Sequence, residues 1–331
     1  MQAENFHGKT ECRNSPHIMY KQTMADTDVT PYPYVSVWVI TYNHAGFIGQ
    51  CLDSILMQKT GFAFEICLGE DDSSDGTREI CQAYAKKYPD IIRLFLRDRN
   101  DPARQGCDGV WQFNFIETFR ACRGKYIAMC DGDDFWTDSM KLQKQVDFLE
   151  QHPDCSGCFH KIATVSETGQ ILVPDMGYPP KRQDRYTLDY LLRYSNFSPM
   201  FSVVFRNHPD AAPGWIKKAP FGDMIVHAGN LRHGDYGFID QVMGSYRIHH
   251  GGLASGTSRL HNVKAALTVY RLIGRHLDLA DRPAFHVGVR ALKLSYLAEW
   301  VMQKIIPAKA KKWLDKVYGT KMRSRIRRIL F

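Results

Sequence analysis

Three polar runs that follow apolar segments concentrate side chains able to do chemistry: Thr41-Tyr42-Asn43-His44, Glu70-Asp71-Asp72-Ser73-Ser74-Asp75-Gly76-Thr77 and Asp131-Gly132-Asp133-Asp134. The last is the most informative. Asp131 and Asp133 are alternate residues of an extended chain, so both carboxylates face one side and repel each other. A hard divalent cation relieves that repulsion, and Mg²⁺ or Mn²⁺ is commonly held by one or two carboxylates together with substrate phosphates. The intervening Gly132 lets a ligand approach the backbone closely. Asp-rich tetrads also form plain turns. The second acidic run, which opens a helix, tips the balance towards a site, although Asp75 equally suits a helix N-cap.

The segments that must position these runs alternate in type. Strands are predicted at 35–40, 64–70, 91–97 and 125–130, and helices near 47–58, 76–88 and 111–122, which is the pattern of a parallel sheet covered on both faces. In such sheets ligands bind beyond the carboxyl ends of the strands. Ile80, Tyr84 and Tyr88, like Leu142, Val146 and Leu149, recur at helical spacing and read as core faces. Residues 156–250 are less regular, with β-like runs at 157–165 and 200–206 and a helix around 222–233. From about 258 the chain reads as helical, and Val287, Ala291, Leu294, Ala298, Val301 and Ile305 form a seam expected to pack. Pro307 should end that helix. The expected organisation is a poorly ordered leader over 1–30, an α/β domain over 31–255, a helical extension over 256–306 and a basic amphipathic tail over 307–331.

With 331 residues, 44% hydrophobic and 24% charged, the composition excludes a disordered or collagen-like chain. Nine cysteines scattered through predicted elements suit buried thiols in a reducing compartment. Cys155-x-x-Cys158 has no second pair at metal spacing and reads the same way. There is no run of about 18 apolar residues and no signal-peptide core, so a cytoplasmic location is expected. The net charge of +8 is local: residues 304–331 hold ten Lys and Arg against Asp315, a net +9, leaving −1 for the other 303.

VSVWVITYNHAGFIGQCLDSIL, EICLGEDDSSDGT, CRGKYIAMCDGDDFWTDSMKLQKQVDFLE and the run from Pro220 to Gly252 together resemble family 2 glycosyltransferases of the GT-A fold, over roughly 35–255. The resemblance implies a Rossmann-like, mostly parallel sheet with helices on both faces, here followed by the helical extension. It also implies an inverting, metal-dependent transfer from a nucleotide-sugar, UDP- or dTDP-linked, to a sugar or lipid-linked glycan acceptor in cell-surface polysaccharide or glycolipid assembly. Carried over by position, Asp72 recognises the base, Thr41, Tyr42 and Asn43 line the nucleoside pocket, and Asp131 contacts the ribose. Asp133 binds the Mn²⁺ or Mg²⁺ on the diphosphate, and Asp134 supports it or contacts the sugar. Asp223 matches the catalytic base, with Asp235 and Asp240 as alternatives, and could also be an N-cap. Arg247 and His249 match a Tyr-Arg-x-His motif near the diphosphate, with Arg247 on the nucleotide and His249 on the metal.

The chemistry agrees, since cleaving a sugar–phosphate bond leaves charge on a nucleoside diphosphate and needs a carboxylate to deprotonate the acceptor. Long hydrophobic spans of processive synthases are missing, so single-sugar transfer is expected. Two other readings are a sugar nucleotidyltransferase, whose glycine-rich basic phosphate loop TYNHAGF does not resemble, and an inert basic interaction protein. For the tail, apolar residues such as Trp313, Val317 and Ile326 favour contact with the anionic inner face of a membrane over nucleic acid, which is not expected as a partner. The alternative is a tail packed on the domain.

Overall fold

The computed structural model describes residues 32–109, 111–176, 183–252 and 257–304, with side chains described as far as residue 300. The expected leader over 1–30, Ile305 of the seam, the break at Pro307 and the tail over 307–331 lie outside the described residues.

Strands β1 (Val35–Thr41), β2 (Phe64–Glu70), β3 (Ile92–Leu96) and β4 (Tyr126–Asp131) alternate with helices α1 (Ile48–Leu56), α2 (Thr77–Lys87) and α3 (Trp111–Ala121), as the sequence predicts. The strands pair in parallel in the order β3-β2-β1-β4. Helices cover both faces of this half-sheet, so β1 is buried on both of its faces rather than alternating between core and solvent. Its period of two divides the core: Val37 and Val39 pack with Ile48 and Leu52 of α1, whereas Trp38 meets Phe115 and Phe119 of α3 edge-on at 4.3 and 5.2 Å.

Beyond β4 come β5 (Phe135–Trp136), α4 (Lys141–Gln151), β6 (Cys155–Ser166), β7 (Ile171–Val173), β8 (Arg185–Tyr186), α5 (Leu188–Tyr194), β9 (Val204–Arg206), α6 (Asp223–Asn230) and β10 (Asp235–Ile248). The sheet continues as β4-β9-β6-β10-β5, with β7 on β6 and β8 on β10. Short β9 is antiparallel to both neighbours, while β6 and β10 are parallel. The runs expected at 157–165 and 200–206 and the helix around 222–233 correspond to β6, β9 and α6, but their mixed pairing was not legible in the sequence, because register depends on partners far away in the chain. The described cysteines are free and nearly all buried, Cys155 and Cys158 among them.

The C-terminal extension is helical, with α7 (Arg259–His276) capped by the Ser258 hydroxyl and α8 (Pro283–Lys304) packed on α7 and α5. The seam expected on α8 is not its packing face. Ala284, Phe285, Gly288, Leu292 and Ser295 are buried, whereas Val287, Leu294 and Ala298 are exposed. The helix carries two apolar stripes, and Gly288 decides between them: a Cβ there would lie 2.0 Å from the Leu192 carbonyl oxygen and 2.8 Å from the Tyr270 hydroxyl. Only a residue without a side chain permits that approach.

Candidate active site

Because β2, β1 and β4 are parallel neighbours in register, with Thr41 beside Glu70 and Ile40 beside Asp131, the three polar runs emerge at one sheet edge. Backbone bonds hold them there. Asp71 N–H donates to the Thr41 carbonyl at 3.1 Å, and Gly132 N–H to that of Ile40 at 3.0 Å.

Side chains then clasp the first two loops. Asn43, in the left-handed region at φ 52°, accepts from Ser74 N–H at 3.0 Å, and its own N–H donates to Ser73 Oγ at 2.9 Å. Asp75 accepts from Ala45 N–H through one oxygen and from Thr77 N–H through the other, both at 3.0 Å. It therefore braces the first turn of α2 and ties α2 to the β1 loop at once. Tyr42 is exposed, with the Arg99 guanidinium 3.4 Å from its ring centroid. Asp72, also left-handed at φ 65°, accepts from Arg99 N–H at 3.1 Å and lies 3.4 Å from Arg78. Asp71 is buried between Arg99 and Arg104; burial raises its pKa against the lowering effect of both arginines. Tyr42 and Asp72 thus meet at Arg99 and Asn43 ties their loops together, whereas Thr41 Oγ1 lies 3.3 Å from His44 Nδ1.

At the third loop, His249 Nε2 lies 2.9 Å from Asp133 Oδ2 and His44 Nε2 3.8 Å from the same oxygen. One donor atom from each of His44, Asp133 and His249 falls within 4.8 Å of the others. Burial favours a proton on Asp133, but the His249 hydrogen bond and the nearby His44 hold its pKa below the usual carboxylate value. That same hydrogen bond raises His249, whereas burial lowers His44. Asp131 is pushed well up by burial and by the charges of Asp133 and Asp223. A dense, partly buried carboxylate cluster with two imidazoles has the donor chemistry of a divalent cation site.

Arg247 is buried and bound through its own atoms. Its backbone N–H donates to Asp134 Oδ1 at 2.8 Å and its Nε to the Asp133 carbonyl at 3.0 Å. Nη1 donates to the Glu167 carbonyl at 3.0 Å and Nη2 to Gln50 Oε1 at 2.5 Å, with Phe47 and Phe135 flanking the guanidinium. In this arrangement Arg247 braces the Asp133–Asp134 backbone, and Asp134 is buried in the same brace. Gly132 is needed for a reason the sequence did not suggest. A Cβ there would lie 2.6 Å from Thr41 Oγ1 and 3.0 Å from His44 Nδ1, so it is the protein's own side chains that approach the backbone.

Asp223 is the first residue of α6, and Gly222 takes the N-cap position, so the Asp223 carboxylate makes no cap bond. Burial raises its pKa, and its charge is felt at Asp131. Gly222 lets α6 begin this close to α3, since a Cβ would meet the Phe115 ring at 2.8 Å. The alternatives lie elsewhere: Asp240 is exposed and paired with Lys161 at 2.7 Å, and burial raises Asp235 while Arg185 opposes it.

Two residues in this cluster were missed. His44 stood in the first polar run, three residues past Thr41, and was legible as a donor. Tyr246 belongs to the Tyr246-Arg247-x-His249 run, and burial and then the charges of Asp134, Asp133, Asp131 and Asp223 raise its pKa.

The Glycosyl transferase family 2 profile matches residues 36–208. The Mycobacterium tuberculosis protein Rv1520 is 35% identical over 222 residues, which is 66% of this chain and 60% of that protein. The putative teichuronic acid biosynthesis glycosyltransferase TuaG of Bacillus subtilis is 30% identical over 140 residues, 42% of this chain and 51% of its own. The chain thus spans only about half to three fifths of the length of these relatives. Staphylococcus aureus TarS 1–349, solved with UDP-GlcNAc, superposes at a TM-score of 0.53 with 16% identity, covering 85% of this chain and 78% of that one. The Pyrobaculum calidifontis mannosyltransferase solved with GDP-Man and Mn²⁺ superposes at 0.57 with 15% identity, covering 91% and 86%. Fold, loop order and profile agree, and the chain belongs to glycosyl transferase family 2.

Proposed function

We propose that the protein transfers a single sugar from a UDP- or dTDP-sugar to an acceptor hydroxyl, with inversion and with a divalent cation, in cell-surface polysaccharide or glycolipid assembly. The observation that carries this reading is the convergence of Asp131, Asp133 and Asp223 with His44 and His249 at the end of β4. The neighbours' bound donors, UDP-GlcNAc and GDP-Man, and the naming of TuaG support the substrate class.

His44, Asp133 and His249 would hold the cation. Two imidazoles beside one carboxylate suit Mn²⁺ better than Mg²⁺, which prefers oxygen and retained water. When bound, it would stabilise the charge left on the nucleoside diphosphate. The chain's own groups do the rest. Thr41, Tyr42, Asn43 and Asp72 seat the nucleoside, and Asp131 holds the ribose. Asp223, its basicity raised by burial, takes the acceptor proton as the hydroxyl attacks the anomeric carbon from the face opposite the leaving group. Arg247 keeps Asp133 and Asp134 in place. In the same reading the acceptor is a sugar or lipid-linked glycan, and residues 307–331 touch the anionic inner face of the membrane. Among the described residues no helix is long and apolar enough to cross one.

The test is a panel of sugar nucleotides with Mn²⁺, followed for donor hydrolysis. One donor should be consumed, with release of its nucleoside diphosphate. No turnover with any donor, together with no nucleoside diphosphate binding, would overturn the reading.

A further inference from the structure

The stripe of α8 that does not pack on the domain remains exposed. Val287 is 46% exposed, Leu294 and Leu297 are each 56% and Trp300 is 40%. Arg290 and Lys293 are exposed on the same side of the helix and form no ion pair among the described residues. The only acid of the helix, Glu299, is paired with Arg259 at 2.9 Å, and α7 has no acid at all.

We propose that this face of α8 is a docking surface for an anionic phospholipid bilayer. Leucine, valine and tryptophan beside snorkelling Arg and Lys, without carboxylates, is the pattern of a helix lying in a membrane interface. The wider charge agrees. Residues 259–331 hold 17 Lys and Arg against four acids, a net +13, whereas the first 258 residues are net −5. Each basic group near an anionic surface adds attraction. Charge also argues against two other occupants. A second copy in a two-fold contact would set Arg290 and Lys293 against their own equivalents, and the basic segment 305–331 would bring like charge to the same face. This surface is made of described residues outside the reaction centre, and it stands whether or not the sugar-transfer reading does.

The test is flotation of the full chain with phosphatidylcholine vesicles, with and without phosphatidylglycerol. Binding should require phosphatidylglycerol and weaken with salt. Leu294→Glu/Leu297→Glu and Arg290→Glu/Lys293→Glu should each lower partitioning by about tenfold or more, with far-UV circular dichroism and donor hydrolysis unchanged. Brominated acyl chains should quench tryptophan fluorescence less in Trp300→Phe. The proposal fails if these variants bind like wild type while glutamine at Arg323, Arg325, Arg327 and Arg328 abolishes binding, which would assign the contact to the tail. It also fails if the face instead mediates a dimer that Leu294→Glu/Leu297→Glu dissolves in sedimentation velocity.

Discussion

His249 Nε2 sits 2.9 Å from Asp133 Oδ2, joining the end of β10 to the end of β4 across 116 residues of sequence. Asp133→Asn and His249→Ala should each abolish Mn²⁺-dependent binding of nucleoside diphosphate in calorimetry. His44→Ala removes one of the three donors and should weaken it by at least the roughly 10- to 100-fold typical for loss of a supporting group at a metal site. Mn²⁺ should outperform Mg²⁺. Unchanged affinity after chelation would remove the cation from the site.

Asp223 has no cap bond and a raised pKa. Asp223→Asn should leave donor affinity near wild type while transfer falls by about two to four orders of magnitude. Retention of most of the transfer rate would assign the base elsewhere, with Asp235 and Asp240 the next to substitute.

Arg247 links four groups from three parts of the chain. Lysine cannot reproduce its planar fork or its stacking, so Arg247→Lys should cost about 2–3 kcal/mol of stability through unpaired carbonyls and lower both metal affinity and turnover. Thermal melting read beside Mn²⁺ titration separates this bracing role from direct nucleotide contact, which would move nucleotide affinity without moving the melting temperature.

His227 is buried with Nε2 3.1 Å from the Ser198 carbonyl, and burial pushes its pKa down to about 4. The folded protein therefore favours the neutral ring. The stabilisation is complete above the unfolded value near 6.5 and is lost as pH falls towards 4, amounting to about 3 kcal/mol. Buried His160, also shifted down, acts in the same direction. Denaturant midpoints measured between pH 7 and 4 should fall, and less steeply in His227→Gln, which keeps a donor for Ser198. An unchanged slope would place the acid sensitivity elsewhere.

The first four strands and their helices could be read from residue order alone, because apolar runs of strand length and stripes at helical spacing are local properties. Once those strands are taken as parallel, Thr41, Asp72 and Asp131 must share an edge. The other half of the molecule follows a different logic. Nothing local tells β9 to run antiparallel between β4 and β6, or brings His249 and Arg247 back to the Asp133 loop. The β9 pairings join residues 46 to 80 positions apart, and the bonds from Arg247 and His249 to the Asp133 loop join residues more than 100 apart. The same holds for Gly132, whose neighbours Thr41 and His44 are set by sheet register, and for α8. There two apolar stripes competed in the sequence, and close packing at Gly288 turned one of them outward.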